Sequence, residues 1–472
     1  MFLKRFIPVR SEDGSALVAV LGVFAMGLIL TTLIVSSVVH GLGFSTFSRA
    51  SVQSHAAADA GITAARASLY TASNCNSQST PGIYVSAGSP KYRATVERNN
   101  GSGWVTGCPN ALTSQVRISS TGTAAAPAVS GVSAGDTSTV QAVYQYIVPG
   151  VNPSGVGMYL HDGAIIEANS SLDLSEGGNT GLIVKNGRLD CNKNNGVING
   201  SIMVRGDLSF GGKCTVTGSA VVTGHTTLGS GRIDGNLTSG SVSPNPPGSK
   251  VGGTYTQNAA TPAAPEWVNI TYKPSDWRTT AGLPYEVRPM PSSCTLSSGN
   301  LGGTTPGYPL ILNALACSGG VSANNNTTVK LTSDVVVFAN KFDFGGVNSL
   351  SFTSSSTASH RIWFITPDNG PAGDKSPTCA STQGDFSVKN GFEVKAPIAA
   401  LLYTPCAFDG KNGFTWNGQI YAGDYSEIKN NPSFTFVQVG AAGVDFDQAT
   451  VTPQVTKPQP GGLITMRDLS AG

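Results

Sequence analysis

Glycine recurs at every sixth residue through Gly200, Gly206, Gly212, Gly218 and Gly224. After each glycine the second and fourth residues are mostly apolar: Ile202/Val204, Leu208/Phe210, Cys214/Val216, Ala220/Val222 and Thr226/Leu228. This pattern predicts a β-solenoid in which each hexad forms one short strand, apolar side chains point inward and a turn residue marks each corner. Softer versions extend back through 164–166, 172–174 and 182–184, and forward through 232–237. Short strand-like runs return after residue 329, with less regular spacing. Lys-Asn-Gly recurs at Lys185, Lys389 and Lys411, each time beside such a run, as a repeated corner would. Proline-rich sequence at 243–293 interrupts the array, and its Trp267 and Trp277 are expected to pack over a solenoid face or end.

Only 12% of the 472 residues are charged and 58 are glycine, yet 40% are apolar and recur in short alternating runs. Disordered chains lack that alternation and carry more charge, so the composition reads as a β-rich extracellular protein with tight turns. The net charge of +2 comes with no dense Lys/Arg cluster, which excludes the footprint of a strong nucleic-acid binder. The 8 cysteines, Cys75, Cys108, Cys191, Cys214, Cys294, Cys317, Cys379 and Cys406, form no CxxC or Cys/His set at zinc spacing. They fall as sequence neighbours within successive modules, and local disulfides in an oxidising compartment are the simplest reading among the many connectivities open to them.

Upstream of all these, an uncharged run at 15–39 follows Gly14 and a basic start, Lys4, Arg5 and Arg10. It is long enough to span a bilayer, and no A-x-A-like cleavage site follows it. The run passes instead into an alanine-rich stretch that still reads as helix to about Leu69, a rod on the order of 80 Å. The positive leader places the body outside the membrane. Period-2 stretches at 91–99, 115–121 and 137–148 then predict a small antiparallel sheet packed on that helix.

Asp13-Gly14-Ser15-Ala16-Leu17-Val18 opening the apolar helix, with Ala57-Ala58-Asp59-Ala60-Gly61 further along it, resembles the PilX-type minor pilins, including the type II secretion pseudopilins of K type. The resemblance covers roughly residues 10–70. It implies cleavage by a prepilin peptidase after Gly14, with Ser15 as the new N-terminus, and packing against other pilin subunits through the helix. Major pilins carry Glu at the fifth mature position, where this chain has Ala19, and a basic residue where it has Asp13. A buried Glu neutralises the terminal amine of the subunit above it in a filament, so a subunit without it suits the tip. The glycine-stepped region separately resembles bactofilin-type β-solenoids.

No nucleophile, metal or nucleotide motif accompanies the scattered His40, His55, His161, His225 and His360, and neither cofactor nor metal is expected. A corner position is the expected role of His225. A polysaccharide-active solenoid enzyme would align carboxylates on one face, with Asp162, Asp173, Asp190, Asp207 and Asp234 as candidates. The reading is therefore an α+β pilin-like module followed by an all-β solenoid. It comprises a leader at 1–14, a transmembrane and stalk helix at 15–70 and a sheet module at 71–150. Solenoid parts follow at 151–242 and 294–472, the latter with a C-terminal tail, joined by a bridge at 243–293. The expected protein is not an enzyme but a minor pilus or pseudopilus subunit, held by the cytoplasmic membrane before assembly and then at the pilus tip or cell surface, serving assembly and adhesion. Alternatives are a tip pilin that binds DNA for uptake and a membrane-anchored enzyme acting on polysaccharide.

Overall fold

The computed structural model of the chain describes residues 15–469 apart from 71–74, 77, 89, 102, 111–112, 126–134, 152, 168, 176–179, 194, 303–304, 306, 372 and 452–454. The chain divides into two compact units, Met1–Val148 with Lys457–Gly472, and Pro149–Thr456.

The first unit is one long helix on an antiparallel sheet. Helix α1, Ser15–Leu69, runs 55 residues with no proline. Its C-terminal part buries Ala50, Ser54, Ala57, Ala58, Ile62, Ala65 and Leu69, the three-and-four spacing of one helical face. That face lies on β1 (Ile83–Val85), β2 (Lys91–Asn99), β3 (Trp104–Thr106), β4 (Gln115–Ala125) and β5 (Gly135–Ile147). Val96, Val116, Ile118, Val140, Ala142 and Tyr144 supply the sheet side of the core. Small residues set the approach: a Cβ on Gly122 would lie 1.9 Å from the Ser54 carbonyl oxygen, and one on Gly61 would lie 2.1 Å from the Ser120 hydroxyl. The sequence predicts a second solenoid part with a C-terminal tail over 294–472. The structure corrects this, because Gln459–Asp468 pairs antiparallel with β5 as the last strand of the sheet in the first unit.

The second unit is a three-sided parallel solenoid, in which Met158–Leu160, Ala164–Glu167 and Ser171–Asp173 belong to the first, second and third faces of one coil. Partners on adjacent coils in the glycine-stepped region lie 18 residues apart, so three hexads make one turn. Inward-facing Val204, Leu208, Val216, Val222 and their counterparts form a continuous apolar interior. The glycines mark corners where backbone stacks on backbone. A Cβ on Gly206 would lie 1.7 Å from the Gly187 carbonyl oxygen, and one on Gly218 would lie 2.5 Å from that of Gly200. The amide of Gly218 donates to Gly200 at 3.1 Å and that of Gly224 to Gly206 at 2.9 Å.

The two solenoid parts are one stack whose chain order is permuted. Met158–Leu160 pairs on one side with Leu182–Val184, its sequence neighbour, and on the other with Ile420–Ala422. From this coil the chain climbs to Tyr255–Gln257 at one end. It crosses outside the stack as a strap over 258–285, then builds coils back from Glu286–Pro289 towards the centre. The bridge expected at 243–293 is thus shorter, because Tyr255–Gln257 and Glu286–Pro289 are solenoid strands. In the later arm bulky Phe342, Phe364, Phe386, Phe392 and Trp416 fill the interior, Phe392 and Trp416 being stacked with centroids 5.9 Å apart.

Strands in the middle of the first face are buried on both sides. Val335–Phe338 is buried throughout, as is the end of His360–Ile365. Their outward side chains, with Tyr159, Leu401, Tyr403 and Tyr421, form a second apolar cluster under the strap. Trp267 and Trp277 pack there: the Trp267 indole donates to Asp368 at 2.8 Å, and Trp277 meets Trp363 at 5.0 Å. The buried Gln419 sits at the junction of the two arms. Its amide donates to the carbonyls of Ser154 and Val156, each at 3.0 Å, and accepts from Val439 and Gly440, each at 2.8 Å.

Gly206→Ala should destabilise the solenoid by about 1–3 kcal/mol, because its methyl group meets a carbonyl that cannot retreat; denaturant unfolding of the detergent-solubilised chain checks this. Gln419→Leu strands two buried N–H groups and two carbonyls and should cost about 3 kcal/mol or more by the same measurement. In the first unit, burial pushes Tyr146 up to about 12, with Tyr84 adding to it. An unfolded tyrosine ionises near pH ~10, so the Tyr146 contribution is complete below that value and is lost as pH rises through the folded pKa. Tyr146→Phe should flatten the fall in stability of this unit over that window.

Candidate functional site

Two kinds of surface stand out: the exposed apolar half of α1 and the outward positions of the solenoid strands. Along the N-terminal half of α1, Leu17 to Val38 stand bare, with large apolar side chains 52–73% exposed. No part of its most apolar window is buried, and the mean hydropathy there is 2.6. The two threonines within it satisfy themselves. Thr31 donates to the carbonyl of Gly27 at 2.8 Å and Thr32 to that of Ile29 at 2.8 Å, so neither hydroxyl needs water. This surface is suited to lipid or to other apolar helices. Gly14 lies outside the described residues, and Ser15 opens α1. Ala19 is one of an unbroken series of uncharged positions that ends at Arg49.

Where the helix reaches the sheet, the segment Ala57 to Gly61 divides its work. Ala57, Ala58 and Gly61 face the sheet, and Asp59 points outward at 44% side-chain exposure beside His55, 3.7 Å away. His55 also lies 3.4 Å from Asp468 on the C-terminal strand. The buried Ser54 hydroxyl lies 2.8 Å from that of Ser138 and donates to Asp136 at 3.1 Å. The Ser51 hydroxyl, then the Thr137 amide and Ser54, hold Asp136 below the usual carboxylate range, against the opposing effect of its partial burial. A groove of about 670 Å³ runs here between α1, β5 and the C-terminal strand. Asp136 and Asp468 are residues that sequence reasoning missed, since only the antiparallel pairing brings position 468 beside position 140.

The eight cysteines pair as Cys75–Cys108, Cys191–Cys214, Cys294–Cys317 and Cys379–Cys406. Cys75–Cys108 belongs to the core under α1, and Cys191–Cys214 ties neighbouring stretches of the solenoid interior.

The five carboxylates singled out from sequence do not form a line. Asp162 contacts His161 at 2.5 Å at a corner, and Asp207 caps the His225 amide at 2.7 Å at another coil's corner. Asp173 receives Asn199 at 2.9 Å on the third face, Asp190 pairs with Arg188 at 2.8 Å on the second, and Asp234 pairs with Arg232 at 3.1 Å. His225 opens a second-face strand, with Nδ1 2.7 Å from the Ser241 hydroxyl. The Lys-Asn-Gly triplets do mark corners: Lys389 follows a second-face strand, Lys411 ends one, and Lys185 follows a first-face strand.

Parallel register on the second face does align other charges. Asp343, Ser387, Asp409 and Glu427 follow one another outward on successive coils. Each carboxylate has a lysine: Lys341–Asp343 at 3.1 Å, Lys411–Asp409 at 2.8 Å and Lys429–Glu427 at 2.9 Å. Lys429, assisted by Lys411, holds Glu427 below its ordinary range. The face thus carries a ladder of ion pairs, one for each of these carboxylates. The third face mixes hydroxyl and charged positions: Glu393, Thr415, Ser433 and Ser171 follow one another in one column, with Asn417, Thr435 and Asp173 beside them. Neither ladder was read from sequence. Asp409/Glu427 and Lys411/Lys429 repeat at the coil period of 18, but the step before it is 22.

No family model matches the sequence, the PilX type included, and no curated protein matches it. Among solved structures the chain is similar to the competence-associated pilin ComZ from Thermus thermophilus, at 11% identity and a TM-score of 0.26, over 89% of this chain and 97% of that one. A likeness of that size fixes neither the fold nor the activity of this chain.

Proposed function

We propose that the protein is a pilin-type subunit, inserted in a membrane before assembly and carried in a filament afterwards, with the solenoid as its outward-facing head. The observation that supports this most is α1 itself. One unbroken helix leaves its first half bare and apolar and makes its second half the core of an antiparallel sheet, so a single element joins the assembly surface to a folded body. A bare half of this length is costly in water, at about 25 cal/mol per Å² of apolar surface, and needs lipid or neighbouring helices. The four disulfides fit a body outside the cytoplasm.

The finer reading is a minor subunit at the filament tip that promotes assembly and surface contact. Ala19 supports it, because the helix offers no carboxylate to a subunit above it until Asp59. The uncovered second and third faces of the solenoid are the surfaces available for contact. Processing after Gly14 should yield a mature chain beginning at Ser15, read by N-terminal sequencing of the membrane fraction; an intact Met1 end would remove the pilin reading. Deleting the gene should lower filament number or adhesion, and filaments unchanged in both would remove the tip role.

A further inference from the structure

We propose that the C-terminal strand Gln459–Asp468 rests edge-on against the outer surface of the bilayer that holds α1, with Leu463, Ile464, Met466 and Leu469 entering the boundary between headgroups and acyl chains. This rests on the reading of α1 as a membrane helix and adds a second point of contact with lipid. The order in which α1 crosses the sheet places the strand. Ser54 meets Ser138 of β5 at 2.8 Å, and a Cβ on Gly122 of β4 would lie 2.4 Å from the Ala58 amide nitrogen. A Cβ on Gly61 would lie 2.9 Å from the ring of Tyr92 of β2, and Tyr84 of β1 donates to Ser68 at 3.0 Å. The helix thus passes β5, β4, β2 and β1 in turn. The C-terminal strand lies beyond β5, on the side from which the bare half of α1 emerges. His55, whose side chain leans back along the helix, lies 3.4 Å from its Asp468.

The strand ends the sheet without the lysines or prolines that usually protect an edge over its apolar stretch. Leu463, Ile464, Met466 and Leu469 are 47–53% exposed. Leu463 and Met466 lie opposite Tyr144 and Ala142, on the α1 side of the sheet, and Leu469 follows Arg467 on the other side. A partner seated on one side would leave the other in water, whereas a plane met edge-on covers both. Exposed Arg49 and Arg467, the latter held by Gln141 Oε1 at 2.9 and 2.6 Å, are offset by Asp59, Asp136 and Asp468. The contact therefore depends on apolar insertion and not on anionic lipid. The length of α1 brings this level down to the lipid. From Ser15 to Ser48 it carries no Lys, Arg, Asp or Glu, a rise of about 50 Å, against about 40–45 Å for a bilayer with its headgroups. A tilt of about 30°, within the range of membrane helices, holds Arg49 at the headgroups and immerses the exposed Phe44 and Phe47. His55 is only about two turns beyond Arg49, and a tilt towards the strand lowers that side further. At headgroup depth water still satisfies the free backbone edge, which the hydrocarbon core would not allow.

The test uses the full chain, whose own cysteines are all in disulfides. Met466→Cys, and Val105→Cys on the opposite edge of the sheet, are each labelled with a nitrobenzoxadiazole fluorophore and reconstituted in phosphatidylcholine vesicles. Lipids carrying a nitroxide at the headgroup–acyl boundary are expected to quench the label at position 466 several-fold more than at 105, equally with and without added anionic lipid. Leu463→Asp together with Ile464→Asp should reduce quenching at 466 to the level at 105. An intact Cys75–Cys108 bridge in each variant checks that the sheet has folded. Equal quenching at the two positions, or quenching at 466 that requires anionic lipid, overturns the proposal. So does a label at 466 that lipid does not quench but that is shielded from aqueous iodide in proportion to protein density, which makes a second copy the occupant. Chains that resist alkaline carbonate yet show equal quenching sink this contact and leave α1 in the membrane. Chains stripped by carbonate sink the membrane reading of α1 and the contact with it.

Discussion

The solenoid depends on one joint, the parallel pairing of Ile420–Ala422 with Met158–Leu160. Everything on one side of it is the early arm and everything on the other is the late arm, and Gln419 bonds across it to carbonyls 263 and 265 residues away. The loop-closure entropy of bringing such distant strands together is repaid only when complete coils stand ready on both sides. The joint also explains why the coil at 158–173, at the sequence start of the solenoid, is buried among neighbours instead of forming an end. The strap is a consequence: a chain that begins in the middle and finishes one end must cross the outside to reach the other.

That crossing gives the three faces different characters. Strands under the strap bury both sides and read as unbroken apolar runs, the pattern of parallel strands covered on both faces. The second and third faces bury alternate residues only, and their outward positions carry paired charges or hydroxyls. An outward residue on any coil is stacked on its counterparts above and below, so a feature that repeats at the coil period becomes a column. The solenoid converts sequence period into surface pattern, and it leaves two of its faces free to present one.

In the first unit a comparable division runs along a single helix. Alanine and glycine at 57–61 allow the backbone of α1 to touch that of β4 through Gly122, so side-chain volume there is minimal by necessity. The motif that carries the resemblance to minor pilins is therefore, in this chain, a close-packing motif, with Asp59 and Ala60 as its outward members. Among the described residues, the stretch from Leu17 to Val38 stands bare, and any partner it takes must be as apolar as itself.

Much of this was legible in the residues. The bare helix followed from an uncharged run with no proline, the sheet from period-2 stretches, and the solenoid interior from glycine every sixth residue with apolar positions between. These are local rules, in which each residue's environment is set by the geometry of its own strand or helix. The C-terminal strand at 459–468 was read as a tail because its partner, β5, is more than 300 positions earlier, and no local pattern names a partner. The late arm looked irregular because insertions between its strands vary and aromatic side chains replace small ones. The Asp409–Glu427 ladder and the acidic level at Asp59, Asp136 and Asp468 share that cause: they are products of register. What the sequence determined by itself was the kind of element each segment forms and which side of it is apolar. Only the tertiary structure decided which coil stacks on which, which face the strap covers and which distant carboxylates share a surface, because pairing is settled by the whole set of interlocking strands at once.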